Sequence, residues 1–210
     1  MAQSTFIIGR KITDPILLAH ELLRGHHIES STTKCAIKID LKKAFDSVKW
    51  DFILSCLNLH NFPSKFISLL QACFTSPFFT IALNGEFQGF FKGRRGLRQS
   101  DPISPFLFVI VMDTLSSIIN EYVKRAHTFK FHWKCGALKI THLSYANDHF
   151  LFCHGDITSV SVLKSALDHF CCMSSLDINL SKSNVYFSGT DPHTEAAITA
   201  MLGVIPLILK

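Results

Sequence analysis

Ten consecutive residues, Leu143-Ser144-Tyr145-Ala146-Asn147-Asp148-His149-Phe150-Leu151-Phe152, most constrain what this chain can fold into. They read as two short apolar strands joined by a tight polar turn that offers acidic chemistry at its tip. A hairpin over residues 140–153 is the expectation. Upstream, Cys35 to Leu41 is a second apolar strand carrying an acid, Asp40, near its end. The clearest local signal lies between them. Phe78 to Leu83 and Glu86 to Phe91 flank Asn84-Gly85, a pair that accepts the positive φ angles of a two-residue hairpin turn.

Elsewhere apolar residues recur at helical spacing. Asp14-Pro15 opens a helix through Ile16, Leu17, Leu18, Leu22 and Leu23 that stops at Gly25. Residues 26–34 read as a polar connection. Ala44 to Leu59 reads as one helix with Phe45, Val48, Phe52, Ile53 and Leu57 on one side, and another follows Pro63-Ser64. Asp101-Pro102 starts a helix reaching Ile118, and Ile157 to Met173 is amphipathic. Ile178 to Phe187 reads as extended. Helices and antiparallel hairpins alternate without a regular βαβ rhythm, which predicts an α+β fold.

Composition narrows the class. With 48% hydrophobic and 18% charged residues, the chain has enough apolar matter for a folded core and is no disordered tail. Nineteen phenylalanines predict a bulky, aromatic interior. Seven cysteines, without CxxC spacing, argue against a disulfide framework or zinc site and for a reducing compartment; Cys171-Cys172 reads as helix packing. No targeting signal is seen at the N-terminus, where Arg10, Lys11 and Asp14 stand. The longest apolar stretch, Phe106 to Met112, is too short to span a bilayer. The expectation is therefore an intracellular protein, in nucleus or cytoplasm, with no membrane contact. The net charge of +5 mildly favours a polyanionic partner, and Lys92, Arg94, Arg95 and Arg98 crowd one glycine-containing loop.

Asp40 and Asp148 together carry the chemistry. Each has an ordinary explanation: Asp40 can cap the helix that follows it, and Asn147-Asp148 suits a tight turn. The alternative is a shared site. Two divalent cations bridging a hydroxyl and a nucleotide triphosphate need carboxylates from at least two elements, which a strand end and a neighbouring hairpin tip can present. Phosphoryl transfer asks a protein mainly for positioning and charge neutralisation, so few acids suffice.

Five segments in order carry a family resemblance. They are Gln3-Ser4-Thr5-Phe6-Ile7-Ile8-Gly9-Arg10, Lys38-Ile39-Asp40-Leu41-Lys42-Lys43-Ala44-Phe45-Asp46, and Gly96-Leu97-Arg98-Gln99-Ser100-Asp101-Pro102-Ile103-Ser104-Pro105. Tyr145-Ala146-Asn147-Asp148 and Leu176-Asp177-Ile178-Asn179-Leu180-Ser181-Lys182-Ser183 complete the set. With them the chain resembles, over nearly its full length, the reverse transcriptase of plant LINE-type (non-LTR) retrotransposons.

The resemblance implies a right-hand polymerase palm, an antiparallel sheet backed by helices, with partial fingers and the thumb missing. Residues 1–190 would be that palm and 191–210 a truncated tail towards the thumb. It implies magnesium or manganese held by Asp40 and Asp148, with an RNA template, a DNA primer and deoxynucleotides as partners. Nothing in the sequence points to a protein partner. Phe45, Leu41 and Gln99 would border the nucleotide. For Phe45 helix-core packing remains the other reading. Lys182 would protonate the leaving pyrophosphate, or be an exposed lysine after a strand. Lys92, Arg94, Arg95 and Arg98 would face phosphates, or solvent.

The chain also departs from the family. Two adjacent aspartates are usual at the hairpin tip, and here the first is Asn147, an amide without the negative charge. Ser100 and Ser175 stand where glycines are usual. The upstream fingers and an endonuclease are not among these residues. These departures imply a degenerate copy with impaired catalysis. A non-catalytic nucleic-acid-binding remnant and a functionless pseudogene product are the alternatives.

Overall fold

The computed structural model describes residues 13–24, 32–145 and 148–207. The Gln3–Arg10 segment, the expected helix stop at Gly25, and Ala146-Asn147 lie outside the described residues.

The fold is mixed α+β. Helix α1 (Thr13–Leu23) precedes strand β1 (Lys34–Asp40), which is followed by helices α2 (Ala44–Ser47), α3 (Trp50–Leu59) and α4 (Ser64–Thr75). The hairpin β2 (Phe78–Leu83) and β3 (Glu86–Lys92) comes next, then the long helix α5 (Ser104–Arg125). Strands β4 (His142–Tyr145) and β5 (Asp148–Cys153), helix α6 (Ile157–Ser174), strand β6 (Asn184–Ser188), helix α7 (Pro192–Leu202) and strand β7 (Ile205–Pro206) complete it.

Five strands form one sheet in the order β4-β5-β1-β6-β7, with β1 at its centre. All pairings are antiparallel except the edge pair β6–β7, which is parallel. Because side chains alternate across a strand, β1 serves two masters. Cys35, Ile37 and Ile39 face α3, α5 and α6 in the main core, together with Leu151, Phe170, Leu115 and Val111. Ala36 lies on the other face in a smaller cluster with Leu143, Phe152, and Ala19 and Leu22 of α1. Lys38 and Asp40 follow Ala36 on that second face.

Three elements differ from the sequence reading. The helix expected over 44–59 is broken at Val48 and Lys49, which are extended. The break is occupied: Gly96 N–H donates to Val48 C=O, and Leu97 N–H to Phe45 C=O. Helix α5 begins at Ser104, since Asp101 caps a preceding turn by accepting from Ile103 N–H. The stretch 178–187 is not one strand. Leu41 and Ile178 form an isolated bridge, residues 179–183 turn, and only then does β6 begin.

Helix α5 is long and apolar enough to cross a membrane by length and composition, unlike the short apolar run visible in the sequence. Here Leu107, Val111, Met112, Leu115 and Ile119 of α5 fill the main core. After β6, α7 packs on α6, and β7 returns to the sheet. Asp191 caps α7 by accepting from Thr194 N–H, and Gly203 closes it with φ 67°.

Candidate active site

Asp40 and Asp148 are register partners across β1 and β5. Directly opposed residues of an antiparallel pair point to the same face, with Cβ atoms about 4.5–5.5 Å apart. Both carboxylates therefore stand on the face away from the main helices, and both are half-buried. Two acids more than a hundred residues apart in sequence are brought side by side by one β-ladder.

The helix-capping alternative for Asp40 fails. The residue preceding α2 is Lys43, in left-handed backbone with φ 42°, and no side chain caps the helix. Asp40 is instead held by the turn after Ile178. Asn179 donates through its backbone N–H to Asp40 C=O at 2.8 Å and through Nδ2 to Asp40 Oδ2 at 2.9 Å. Asp40 N–H donates to Ser183 Oγ at 3.1 Å. The Asp40 backbone and one carboxylate oxygen are thus fixed. Asp148 is met by Lys38, whose Nζ lies 3.2 Å from Asp148 Oδ1.

These donors suit a hard divalent cation. Magnesium is commonly bound by one or two carboxylates plus substrate phosphates rather than by a complete protein cage. A single pair of acids fits that pattern, and among the described residues no group of three or more His, Cys, Asp or Glu gathers to hold a metal.

The loop at residues 93–101 docks against α2 and the start of α3. Gly96 sits with φ +85° against Asp46, where an added Cβ would come within 2.6 Å of the Asp46 carbonyl oxygen. Trp50 Nε1 donates to Gly96 C=O at 2.7 Å. So anchored, the loop lets Gln99 Nε2 donate to Asp46 Oδ1 at 3.1 Å. Phe45 is half-buried and stacks on Phe108 with ring centroids 4.6 Å apart. Lys92, Arg94, Arg95 and Arg98 are all exposed, as is Lys182 in the turn beside Asn179. Leu41, expected beside the nucleotide, has its side chain 3% exposed within the main core, so only its backbone could border one. Period-two alternation after Asp40 turns it inward.

Sequence reasoning missed Lys38, Asn179 and Ser183 as partners of the acids. For Lys38 the signal was available: residues two apart on a strand share a face. For the other two it was not, because the expected strand over 178–187 hid the turn.

The fold is shared with solved telomerases. The telomerase of Candida albicans, solved in complex with a TWJ fragment of telomeric RNA, matches with a TM-score of 0.64 at 11% identity, over 90% of this chain and 32% of that one. The chain belongs to the reverse transcriptase (RNA-dependent DNA polymerase) family, whose profile matches residues 1–205. Among curated relatives, the Pol polyprotein of the R2 retrotransposable element of Popillia japonica is 27% identical over 157 residues, 73% of this chain and 25% of that protein. The Transposon TX1 149 kDa protein of Xenopus laevis is 24% identical over 189 residues, 90% of this chain and 14% of that protein. The chain thus spans a quarter or less of the length of these two relatives.

Proposed function

We propose that this chain is the palm, with part of the fingers, of the reverse transcriptase of a plant LINE-type non-LTR retrotransposon. Residues 1–190 make up that unit, and 191–210 lead towards a thumb. Its chemistry is two-metal nucleotidyl transfer with magnesium or manganese, acting on an RNA template, a DNA primer and deoxynucleotides inside the cell. The register pairing of Asp40 with Asp148 carries this reading.

In the reaction the primer 3′-hydroxyl attacks the α-phosphorus of the nucleotide. One P–O bond forms, the bond to pyrophosphate breaks, and the hydroxyl proton passes to solvent water. Magnesium or manganese there would neutralise charge on the hydroxyl and the phosphates. Asp40 and Asp148 would hold it, and the Asn179 and Ser183 contacts fix Asp40 in place. Phe45 lies beneath the sugar, Gln99 stands beside the incoming base, and Lys182 supplies a proton to the pyrophosphate.

Asn147 impairs this chain. Its amide oxygen can ligate a cation but brings no charge, and losing one ligating carboxylate costs on the order of a thousandfold in rate. A primer-extension assay with magnesium tests the reading. Asn147→Asp is expected to extend a DNA primer on RNA far faster than the unmodified chain, and Asp40→Asn to abolish that gain. Equal, robust extension by the unmodified protein would remove the impairment. No extension by Asn147→Asp would remove the polymerase assignment for this chain. A second reading, a binding remnant that still grips nucleic acid, is favoured by the exposed cationic loop.

A further inference from the structure

Asp46 has no part in the reaction as drawn above, yet it meets the 93–101 loop twice. Its backbone is the surface on which Gly96 rests, a fit so close that an added Cβ would come within 2.6 Å of its carbonyl oxygen. Its carboxylate catches the loop three residues further on, where Oδ1 accepts from Gln99 Nε2 at 3.1 Å.

Both ends of this hydrogen bond are firmly mounted. Asp46 lies within α2, and its N–H donates to Lys43 C=O at 2.9 Å. Gln99 stands between two anchored points of its loop. On one side Gly96 N–H and Leu97 N–H donate to Val48 C=O and Phe45 C=O at 2.8 and 2.6 Å. On the other, Asp101 Oδ1 accepts from Ile103 N–H at 3.0 Å, just before α5. The Asp46 and Gln99 side chains are exposed, so the hydrogen bond rather than packing sets how the amide lies.

Chemistry decides which way round it lies. A primary amide donates at one end and accepts at the other, whereas a carboxylate only accepts. Gln99 must therefore turn its NH2 group to Asp46, which leaves Oε1 as the end that can receive a hydrogen bond from a ligand. Both residues line a cavity of about 300 Å³, together with Trp50, Phe79, Arg95 and Arg98. An asparagine at position 46 would lift the restriction, because its own amide can either donate or accept.

We propose that Asp46 is a positioning residue, which holds Gln99 so that its carbonyl oxygen, and not its NH2 group, is presented to the incoming deoxynucleotide. This rests on the polymerase reading above, in which Gln99 stands beside that nucleotide. One short segment then has three tasks: Asp40 for the cation, Phe45 for the sugar and Asp46, through Gln99, for the base.

The test is a double-mutant cycle in the Asn147→Asp chain. Asp46→Asn is expected to raise the Michaelis constant for deoxynucleotide about three- to tenfold, with kcat held within about twofold, since one hydrogen bond is lost and the proposed cation ligands are untouched. Gln99→Ala should raise it at least as far. Adding Asp46→Asn to Gln99→Ala should then cost nothing more, because Asp46 acts only through that amide. Additive effects, or a fall in kcat at constant Michaelis constant, would overturn the proposal.

A readout without catalysis separates this role from the polymerase reading. In the unmodified chain the Gln99 side-chain amide resonances, identified by their loss in Gln99→Ala, should lose the downfield shift of the hydrogen-bonded proton on Asp46→Asn. Unchanged resonances would overturn the proposal whatever the kinetics. If the shift is lost as expected but Asn147→Asp extends no primer, the polymerase reading falls and takes the positioning role with it, leaving only a surface hydrogen bond.

Discussion

Lys38 Nζ lies 3.2 Å from Asp148 Oδ1, reaching diagonally across the β1–β5 ladder on the face that also carries Asp40. One ammonium therefore sits against the carboxylate pair that the proposed chemistry needs for cations. The pair is partly solvated, with side chains 32% and 43% exposed, so its worth is at most about 1 kcal/mol. Lys38→Met should tighten manganese binding by about two- to fivefold in a paramagnetic-resonance titration of the protein alone. Unchanged affinity would show that Lys38 does not compete for the site.

Asn179 acts on the site through Asp40, to which it donates twice. Asn179→Ala removes the side-chain bond only, and in an Asn147→Asp background it should lower turnover about tenfold while leaving the Michaelis constant for deoxynucleotide nearly constant. Asn179→Asp should be worse, because it sets a like charge against Asp40. If both substitutions cost the same, the amide bond has no positioning role.

Ser100 and Ser175 both occupy left-handed backbone, with φ 69° and 59°. Non-glycine residues pay about 1 kcal/mol or more there. Ser175 terminates α6 by donating its N–H to Cys171 C=O, the place where helices favour glycine. Ser175→Gly should raise the unfolding free energy by about 1 kcal/mol in urea titration. A loss of stability would mean that the serine side chain contributes more than the strain costs.

Gly96 is the opposite case, a glycine that cannot be replaced. An added Cβ would meet the Asp46 backbone, and the φ is already left-handed. Gly96→Ala should cost about 2–4 kcal/mol and loosen the 93–101 loop, giving faster amide exchange at Leu97. An alanine variant as stable as the parent would contradict this docking.

His142 and His149 make the fold acid-sensitive. Burial pushes the His149 imidazole down to about 4; burial, and then the charge of His149, take His142 down to about 3. In each ring Nε2 has no hydrogen-bond partner among the described residues, and His149 Nδ1 meets Ser144 Oγ at 2.9 Å. The unfolded chain takes up a proton near pH 6.5 that the folded chain refuses until far lower pH. Stability should therefore be full above about pH 6.5 and fall as pH drops towards 4, by about 1.4 kcal/mol per unit for each histidine. Thermal melts of His149→Gln should show a shallower decline over that window. An identical slope would mean that His149 is not the group responsible.

Local signals settled the elements whose cause is local. Asn84-Gly85 specified its turn, with φ 50° and 86°, and apolar periodicity placed α1, α4 and α6. Where a contact from far away intervened, the reading failed. The break at Val48 exists because the loop at Gly96 docks into it, and the turn at 179–183 exists because it closes around Asp40. Neither partner is near in sequence.

For the site, the order of motifs named the family and picked out both acids, because each motif keeps its own strand or turn chemistry. Their meeting was beyond any such reading, since only a hydrogen-bonded ladder decides which residue of β5 stands opposite which residue of β1. A slip of one position would have turned Asp148 into the helix-packed core. Likewise Leu41 follows Asp40 immediately in sequence yet points the other way. Which residues are chemically able to act was written in the chain; which of them share a face was decided by strand pairing.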